Sequence, residues 1–402
     1  MTDLPAVHWF LAGSRGTVTT LPLESSGMAR LAESDRERIA ALFDRHLEVG
    51  LHHGAQLGVY VDGEQVLDLA GGTTGPDGSE ETPTQRHVLF SCTKPYAAVT
   101  LHSLVDDGLL AYEDRVVEHW PEFADDGTEK AEITVRQVLS HTAGLPRGEI
   151  DKRPDRWRDW DAVIEALEAL EPVFPPGEVP AYHPLTFGWL VGELVRRVSG
   201  TPIERAAAER VFDPLGMDDT GIGLREDEAD DVATIVPFKT FDRCRDPDEG
   251  LGDHTEVAAP FNTEALHRAV IPASTGIGTA SDMARFYACL ANGGELEGTR
   301  ILSEETVETM TRLEAETESD GTLGREARFA LGFWKGGTTI APYGSLSPTH
   351  AFGHAGLGSS VGWADPVDAV GFSYVTNGVR DGSYEHVARV NAVADAVRLA
   401  IQ

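Results

Sequence analysis

The spacing of hydrophobic residues predicts a helix followed by a β-hairpin near the start of the chain. Ser34 and Glu37 match a capping box, and the apolar residues that follow at helical spacing predict a helix over residues 35–49. Apolar and polar positions then alternate over residues 57–69. They flank Asp62-Gly63, a pair that favours the tight turn of a hairpin.

The end of the chain repeats this combination of strands and a helix. Alternating segments over residues 359–364 and 370–376 predict two strands separated by Asp365-Pro366, and residues 384–401 have the periodicity of a closing helix. Strands at both ends of one chain favour a single antiparallel sheet to which the two termini contribute.

The middle of the chain is predicted to be mainly helical. Helical periodicity runs through residues 95–107, 134–140, 161–170, 186–198 and 281–292. We therefore predict an α+β fold, in which an antiparallel sheet built from both chain ends and flanked by helices carries a mainly helical insertion lobe. The approximate division is residues 1–90 and 325–402 for the sheet domain and 91–324 for the helical domain, with the active site between them.

The composition is strongly acidic, which excludes two classes of partner. The 402 residues carry a formal net charge of -33 at pH 7, so the surface repels nucleic acid and anionic membranes. We expect a small-molecule substrate, and nothing in the sequence indicates an oligomeric state. Only five residues are lysine. Two explanations stay open: a protein kept soluble at high salt, or a genome that prefers arginine codons.

The cysteine pattern and the start of the chain indicate an intracellular protein. Cys92, Cys244 and Cys289 are an odd number at wide spacing, which is typical of reduced thiols rather than of disulfides or a zinc site. Residues 1–13 lack a basic segment ahead of an apolar run, and no apolar stretch is long enough to span a membrane. We expect a soluble cytoplasmic protein with no metal and no cofactor.

Ser91 and Lys94 form a candidate nucleophile and base. They lie three residues apart where helical spacing begins, so the lysine nitrogen can reach the serine hydroxyl. A buried amine loses its proton more easily, which makes a desolvated lysine a suitable base for a serine. The positive helix end makes the Ser91 N–H a candidate half of an oxyanion hole. The pattern S-x-x-K alone is weak, because a capping serine beside a solvated lysine gives the same letters.

Five segments follow one another in an order that is specific to one superfamily. They are Phe90-Ser91-Cys92-Thr93-Lys94, residues 133–145, residues 182–193, residues 276–285 and Gly353-His354-Ala355-Gly356. Together they resemble the motifs of the serine β-lactamase and penicillin-binding-protein superfamily, specifically its class-C-like branch with the family VIII carboxylesterases. The match runs from about residue 34 to the C-terminus in family order.

The resemblance implies a catalytic role for four side chains. Ser91 is the implied nucleophile, and Lys94 and Tyr182 are the implied proton-transfer groups, each of which shifts the pKa of the other. His354 occupies the strand motif and is the fourth. The backbone N–H groups of Ser91 and Leu357 are the implied oxyanion hole.

Two departures from the family pattern bear on the substrate. Tyr182-His183-Pro184 stands where β-lactamases and transpeptidases have Tyr-x-Asn, and His354-Ala355-Gly356 stands where they have Lys-Thr-Gly. The amide that holds the acylamide side chain of a lactam is therefore missing, as are the lysine and threonine that hold its carboxylate. A neutral imidazole binds a carboxylate poorly, so we expect uncharged esters.

Several residues are candidates for substrate contact. The first three are Gly356, Trp334 and Phe187. Further candidates for the pocket wall are Trp157, Trp160, Tyr343 and His350. Each of the aromatic residues could equally belong to the core.

Three other motifs have competing interpretations. Gly358-Ser359-Ser360-Val361-Gly362 matches the G-x-S-x-G of α/β-hydrolases, but that motif needs a strand, a turn and a helix, whereas a strand is predicted here after Ser360. Cys92 is turned away from Ser91 by about 100° on a helix, which favours packing. His141 is interpreted as a structural residue at a helix end rather than as a base.

Three functions remain open. The favoured one is a metal-independent, carboxylesterase-like serine hydrolase that works through an acyl-enzyme. A β-lactamase or a D-amino acid peptidase (a penicillin-binding protein) is the first alternative. The second is a non-catalytic binding protein on the same scaffold, against which the joint presence of Ser91, Lys94 and Tyr182 argues.

Overall fold

The structure is a computed structural model in which strands and helices alternate along most of the chain. The residues that it describes are 19–20, 31–238, 258–339, 341–380 and 383–401. Cys244 and the acidic, glycine-containing segment around it lie outside the described residues.

Sixteen strands are formed by the described residues. They are β1 (Thr19–Thr20), β2 (Gly54–Val61), β3 (Glu64–Gly72), β4 (His87–Val88), β5 (Gly221–Ile222), β6 (Val236–Phe238), β7 (Gly276–Gly278), β8 (Glu295–Leu296), β9 (Thr299–Arg300), β10 (Ala315–Thr317), β11 (Ala327–Phe329), β12 (Trp334–Lys335), β13 (Phe352–Ala355), β14 (Val361–Asp365), β15 (Val370–Thr376) and β16 (Gly378–Arg380).

The α-helices alternate with these strands and are concentrated in the middle of the chain. They are α1 (Glu33–Glu48), α2 (Lys94–Asp106), α3 (Val116–His119), α4 (Val135–Leu139), α5 (Trp160–Glu168), α6 (Thr186–Ser199), α7 (Ile203–Ala207), α8 (Asp213–Leu215), α9 (Glu264–His267), α10 (Ala280–Ala291), α11 (Glu304–Thr311) and α12 (Ser383–Ile401). Short 3₁₀ turns connect several of them, and one of these turns begins at Ser91.

One antiparallel sheet of nine strands draws on both ends of the chain. Its spatial order is β1-β3-β2-β15-β14-β13-β12-β11-β10. The two ends meet where β2 pairs with β15, from Ala55 opposite Thr376 to Val61 opposite Val370. The predicted α+β fold is confirmed, and the division into two domains at the stated boundaries stays a prediction.

The N-terminal hairpin forms as predicted, but the helix before it starts differently. Asp62 and Gly63 have φ angles of 52° and 81°, which is the backbone of the tight turn that favours this pair of residues. Helix α1 begins at Glu33 and has Ala32 at its N-cap, without a side-chain cap. The predicted capping box at Ser34 was therefore wrong, because the helix already includes Ser34 in its first turn.

Helices cover both faces of the sheet. On one face, α1 and α12 enclose a core that includes Ile39, Phe43, Val390 and Val397. On the other face, α10 packs against β2, β14 and β15, and α2 lies beyond it in the larger core of the helical lobe. Every residue of α2 from Lys94 to Leu104 is buried. The first turn of α2, which begins three residues after the partly exposed Ser91, is therefore buried.

The described part of the chain contains neither a membrane-spanning helix nor a metal-binding cluster. Within it, no helix is both long and apolar enough to cross a membrane, and no group of three or more His, Cys, Asp or Glu is placed to hold a metal ion. The two cysteines that it includes, Cys92 and Cys289, are both buried and free.

Glycines on the sheet allow α10 to approach the strands closely, and this predicts the effect of a substitution. A Cβ at Gly371 would lie 2.3 Å from the Ala288 backbone nitrogen, so the helix and the sheet would have to separate. We expect Gly371→Ala to lower the free energy of unfolding by about 1–3 kcal/mol, measured by urea denaturation.

The control is Gly148→Ala, because the nearest atom to a Cβ at Gly148 is a Leu170 methyl carbon at 3.4 Å. That variant should lose no more than about 0.5 kcal/mol. Equal losses in the two variants would contradict the packing account.

Candidate active site

The nucleophile candidate lies on a strained turn between β4 and α2. Phe90 has a φ of 48° and a ψ of -132°, a conformation that costs energy for any residue with a side chain. Hydrogen bonds on both sides hold it, from Leu89 N–H to Gly276 O at 2.8 Å and from Thr93 N–H to Phe90 O at 2.9 Å. The turn presents Ser91 at the start of the buried helix.

Lys94 lies one helical turn after Ser91 and has no exposed surface. Its Nζ is 3.0 Å from Ser91 Oγ, 2.7 Å from Pro184 O and 3.1 Å from Ala273 O. Burial lowers the pKa of the Lys94 amine well below its ordinary value of 10.5. Among the described residues Lys94 forms no ion pair, and the interactions with Cys92 and Asp151 that favour its proton are smaller than the cost of burying its charge.

Tyr182 completes a three-residue cluster around Ser91. Its hydroxyl donates to Ser91 Oγ at 3.0 Å, and Lys94 Nζ lies 5.0 Å from the centre of its ring. Burial raises the pKa of the Tyr182 phenol above its ordinary value of 10.0. The structure thus brings together the three residues that the sequence analysis predicted to meet, although they come from the turn before α2, from the start of α2 and from the segment between α5 and α6.

Asp320 is a residue at this site that the sequence analysis missed. Its carboxylate is buried and accepts from the Tyr182 N–H at 2.8 Å through Oδ2, and from the N–H groups of Thr322 and Leu323 through Oδ1. Burial raises the pKa of this carboxyl, and the three hydrogen bonds from backbone N–H groups oppose that rise. An Asp before a glycine reads as an ordinary turn, so no local signal identifies it as the support of Tyr182.

His354 on β13 lies beside Tyr182, with 5.9 Å between the ring centres. Its Nδ1 is 2.9 Å from Ala355 O, which requires the ring proton on Nδ1 and leaves Nε2 as an acceptor. Burial, with the nearby Lys94, lowers the pKa of His354 to about 3. His354 is therefore neutral, its Nε2 is buried without a hydrogen-bond partner among the described residues, and no hydrogen bond joins it to Tyr182.

His141 and His183 support the site from behind. The N–H of His183 donates to His141 Nδ1 at 3.1 Å, and His183 Nε2 accepts from the Leu145 N–H at 3.2 Å. Burial lowers the pKa of His183 to about 4 and that of His141 well below 6.5. The interpretation of His141 as a structural residue agrees with this geometry, since it follows α4 with a φ of 59° and its ring packs at an angle against the rings of Tyr182 and Phe187.

The end of β13 lies directly against the turn that carries Ser91. A Cβ on Gly356 would lie 2.7 Å from Leu89 O, so this close approach needs a glycine. The Gly356 N–H donates to Ser360 O at 2.7 Å and is therefore engaged. The next residue, Leu357, is partly exposed, and its N–H has no hydrogen bond to another described residue, which is equally true of the Ser91 N–H.

Of the other predicted contacts, Trp334 lies at the site and Phe187 lies behind it. The Trp334 ring packs edge-on against Tyr182 at 5.4 Å and lies 5.0 Å from the His354 ring. Phe187 is fully buried beneath His141, which differs from the substrate contact predicted for it.

The remaining candidates for the pocket wall have structural partners. Trp157 and Tyr343 are buried in the two main cores. The Trp160 indole N–H donates to Glu193 at 2.9 Å, and His350 pairs with Asp365 at 2.9 Å.

The alternative nucleophiles are placed for packing. Ser360 is fully buried, and its hydroxyl accepts from the Thr376 N–H at 3.3 Å. Strand β14 begins at the next residue, so the helix that a G-x-S-x-G motif requires is not formed there. The Cys92 thiol is buried against His354 O and Ser360 O, and burial raises its pKa to about 12. A thiol in that state is unreactive.

Comparison with known proteins gives consistent matches over most of the chain. A family model described as Beta-lactamase matches residues 39–396. The esterase/beta-lactamase LipL of Mycobacterium tuberculosis is 34% identical over 344 residues, which cover 81% of this chain and 77% of that protein.

Two solved structures of similar sequence share the fold. A penicillin-binding-protein homologue from Caulobacter crescentus has 32% identity and a TM-score of 0.79, covering 92% of this chain and 98% of that one. A family VIII carboxylesterase has 30% identity and a TM-score of 0.77, covering 93% of this chain and 99% of that one. These matches confirm the resemblance inferred from the five ordered motifs.

The support that Asp320 gives to Tyr182 leads to a second prediction. In Asp320→Asn the amide has one acceptor oxygen, so it cannot serve both the loop amides and the Tyr182 N–H. We expect kcat to fall by about tenfold or more through displacement of the phenol, with a smaller effect on KM, measured with a chromogenic ester below the melting transition.

The control is Asp159→Asn, which alters another carboxylate that accepts from a backbone amide, at the start of α5. Asparagine caps a helix as well as aspartate, so kcat should not change. An unchanged kcat in Asp320→Asn would contradict the positioning role.

Proposed function

The chain belongs to the beta-lactamase family and is a serine hydrolase, and from this premise we propose that it cleaves carboxylic esters through an acyl-enzyme on Ser91. The observation that carries the proposal is the position of Ser91 Oγ, which lies 3.0 Å from both Lys94 Nζ and Tyr182 Oη. A serine hydroxyl with two proton-transfer groups at hydrogen-bond distance is the arrangement that nucleophilic catalysis needs.

Lys94 acts as the base for the first step in this proposal. An uncharged amine has two N–H donors and one lone pair, and Lys94 has two carbonyl acceptors, Pro184 O and Ala273 O. Once both donors are used, the lone pair is left for the proton of the Ser91 hydroxyl. Ser91 Oγ then attacks the ester carbonyl carbon while its proton passes to Lys94 Nζ.

Tyr182 assists the second proton transfer. Its phenol stays protonated at neutral pH because burial raises its pKa, so it can give a proton to the leaving alcohol as the C–O bond breaks. The proton held on Lys94 restores the phenol. Water then attacks the acyl-enzyme, the same two groups take and return its proton, and release of the acid regenerates Ser91.

The backbone N–H groups of Ser91 and Leu357 would stabilise the oxyanion that forms in both steps. Two observations support this assignment: the residue before Leu357 packs directly against the turn that carries Ser91, and both N–H groups lack an acceptor among the described residues. Donors that are fixed in place before the reaction lose little energy to reorganisation when charge develops.

The residues around the cluster favour esters over β-lactams. Pro184 offers only a carbonyl, which Lys94 already occupies, and the neutral His354 provides no positive charge to hold a carboxylate. Because the relative LipL is named an esterase/beta-lactamase, β-lactam turnover is the second candidate activity. Nitrocefin hydrolysis that matches ester hydrolysis in kcat/KM would favour it. A non-catalytic role would require that no ester or lactam is turned over.

The choice of nucleophile gives a third prediction. We expect Ser91→Ala to lower kcat for 4-nitrophenyl butyrate by about 10⁴-fold or more and to remove the initial burst of 4-nitrophenol. Ser360→Ala is the matched control, since it removes a hydroxyl of the same kind from a buried packing position. Retained turnover in Ser91→Ala, or a loss confined to Ser360→Ala, would contradict the assignment.

The state of Lys94 gives a fourth prediction, for the pH dependence of kcat/KM. A base whose pKa is lowered is unprotonated above that pKa, so activity should rise with pH through one ionisation and level off well below 10.5. Lys94→Arg should be inactive, because a guanidinium keeps its proton. A rate that still climbs near pH 10, after subtraction of spontaneous hydrolysis, would show that Lys94 titrates like an ordinary lysine.

A further inference from the structure

The hydroxyl of Thr93 lies between the turn that carries Ser91 and strand β7. Thr93 has no exposed surface, and its Oγ1 is 2.5 Å from Phe90 O and 2.7 Å from the Gly276 backbone nitrogen. The Gly276 N–H can only donate, so the Thr93 hydroxyl accepts there and gives its own proton to Phe90 O. The chemistry of the two partners therefore fixes the direction of both hydrogen bonds.

Strand β7 is joined to this turn on both sides of Phe90. The Leu89 N–H donates to Gly276 O at 2.8 Å, and the Gly276 N–H donates to the Thr93 hydroxyl. A Cβ on Gly276 would lie 2.5 Å from Thr93 Oγ1, so this close approach needs a glycine. One residue of β7 thus fixes both ends of the turn in which Phe90 has its strained conformation.

These contacts also set the direction of the Ser91 N–H. Phe90 O accepts a second hydrogen bond, from the Thr93 N–H at 2.9 Å, so Thr93 uses both of its lone pairs. Phe90 O and the Ser91 N–H belong to one peptide group, which is planar and trans, so they point in opposite directions. A carbonyl held towards Thr93 therefore keeps the Ser91 N–H facing away from Thr93, where it has no acceptor among the described residues.

We propose that Thr93 is a positioning residue for the oxyanion hole, which acts by clamping the peptide group between Phe90 and Ser91. The proposal rests on the proposed function, because it gives Thr93 a part in the step in which charge develops on the carbonyl oxygen of the ester. The Thr93 hydroxyl is already engaged by Phe90 and Gly276, so it acts on the reaction through the orientation of the Ser91 N–H. A donor that is aimed before the reaction needs no reorganisation, and that advantage is lost when the donor can turn.

The strain at Phe90 gives this peptide group a reason to turn when the clamp is removed. A φ of 48° with a ψ of -132° persists only where the surrounding contacts enforce it. In Thr93→Ala the Gly276 N–H loses its acceptor, and Phe90 O loses one of its two donors. Rotation of the peptide group can then relieve the strain and turn the Ser91 N–H out of line. Thr93→Ser keeps the hydroxyl, so a comparison of the two variants isolates the clamp.

The test measures three quantities for the wild type, Thr93→Ser and Thr93→Ala. They are kcat and KM for 4-nitrophenyl butyrate, and the dissociation constant of an alkyl trifluoromethyl ketone. Ser91 Oγ adds to the carbonyl carbon of this ketone while its proton passes to Lys94, which leaves the negative oxygen of the adduct in the oxyanion hole. The affinity of the ketone therefore reports on the hole without requiring turnover.

We expect Thr93→Ala to lower kcat and to weaken the ketone adduct by about tenfold or more relative to Thr93→Ser, with KM changed less than about threefold. The pH at which kcat/KM is half-maximal should not change, because Lys94 keeps its contacts with Pro184 O and Ala273 O. A substitution that merely disturbed the packing around Lys94 would move that pH. Thr93→Ser should behave like the wild type.

The matched control is the pair Thr100→Ala and Thr100→Ser. Thr100 is equally buried in α2, and its hydroxyl donates back to its own helix, to Tyr96 O at 2.8 Å. Both substitutions should leave kcat and the ketone affinity unchanged. Thr93→Cys is the second variant if Thr93→Ala does not fold, because a thiol fills the space but is a weak donor and a weak acceptor. It should show a loss of the same kind relative to Thr93→Ser.

Equal kcat and equal ketone affinity in Thr93→Ala and Thr93→Ser would overturn the proposal. A loss of activity that is fully explained by KM or by a shifted pH dependence would also overturn it. If the wild type hydrolyses no ester, the proposed function fails, and the ketone adduct, followed by fluorine nuclear magnetic resonance, tests the clamp by itself. A weaker adduct in Thr93→Ala than in Thr93→Ser would then support the clamp, and the absence of an adduct in the wild type would overturn it.

Discussion

The burial of one amine, Lys94, is the constraint on which the site depends. An ammonium without exposed surface and without an ion pair to any described residue is unfavourable, so the fold favours the uncharged form. Two backbone carbonyls from separate segments, at Pro184 and Ala273, fix the position of the nitrogen. The packing of α2 inside the helical lobe produces the burial that lowers the pKa of Lys94 and suits this amine to its proposed role as a base.

Three of the groups near Lys94 are imidazoles that burial keeps uncharged. His141, His183 and His354 all have lowered pKa values, chiefly because they are buried. His141 accepts a hydrogen bond from the backbone N–H of His183, the residue after Tyr182, and the His183 ring accepts one from the Leu145 N–H. These hydrogen bonds hold the Tyr182 segment and the loop at Leu145 in place. In the proposed mechanism, these neutral rings place no positive charge beside Lys94 that would compete with the proton it takes from Ser91.

Much of the fold and of the catalytic cluster could be predicted from the sequence. Apolar and polar residues alternate clearly along the long strands β2, β3 and β15, and the Asp62-Gly63 pair favours the positive φ angles of a tight turn. The ordered motifs identify Ser91, Lys94 and Tyr182 as the residues of the cluster. The strands β10, β11 and β12 were missed because each has only two or three residues, which is too short to show alternation. Asp320 was missed because the loop between β10 and β11 brings it to Tyr182 from far along the chain.

The measurement that tests the account most directly is a nuclear magnetic resonance titration of the lysine side chains. The chain has only five lysines, so the signal of Lys94 can be identified as the one that is lost in Lys94→Met. The account predicts that this amine loses its proton at a lower pH than Lys130 and Lys335, whose pKa values are each lowered to about 8. A Lys94 signal that titrates at or above theirs would show that the amine is charged at neutral pH and would contradict the proposed mechanism.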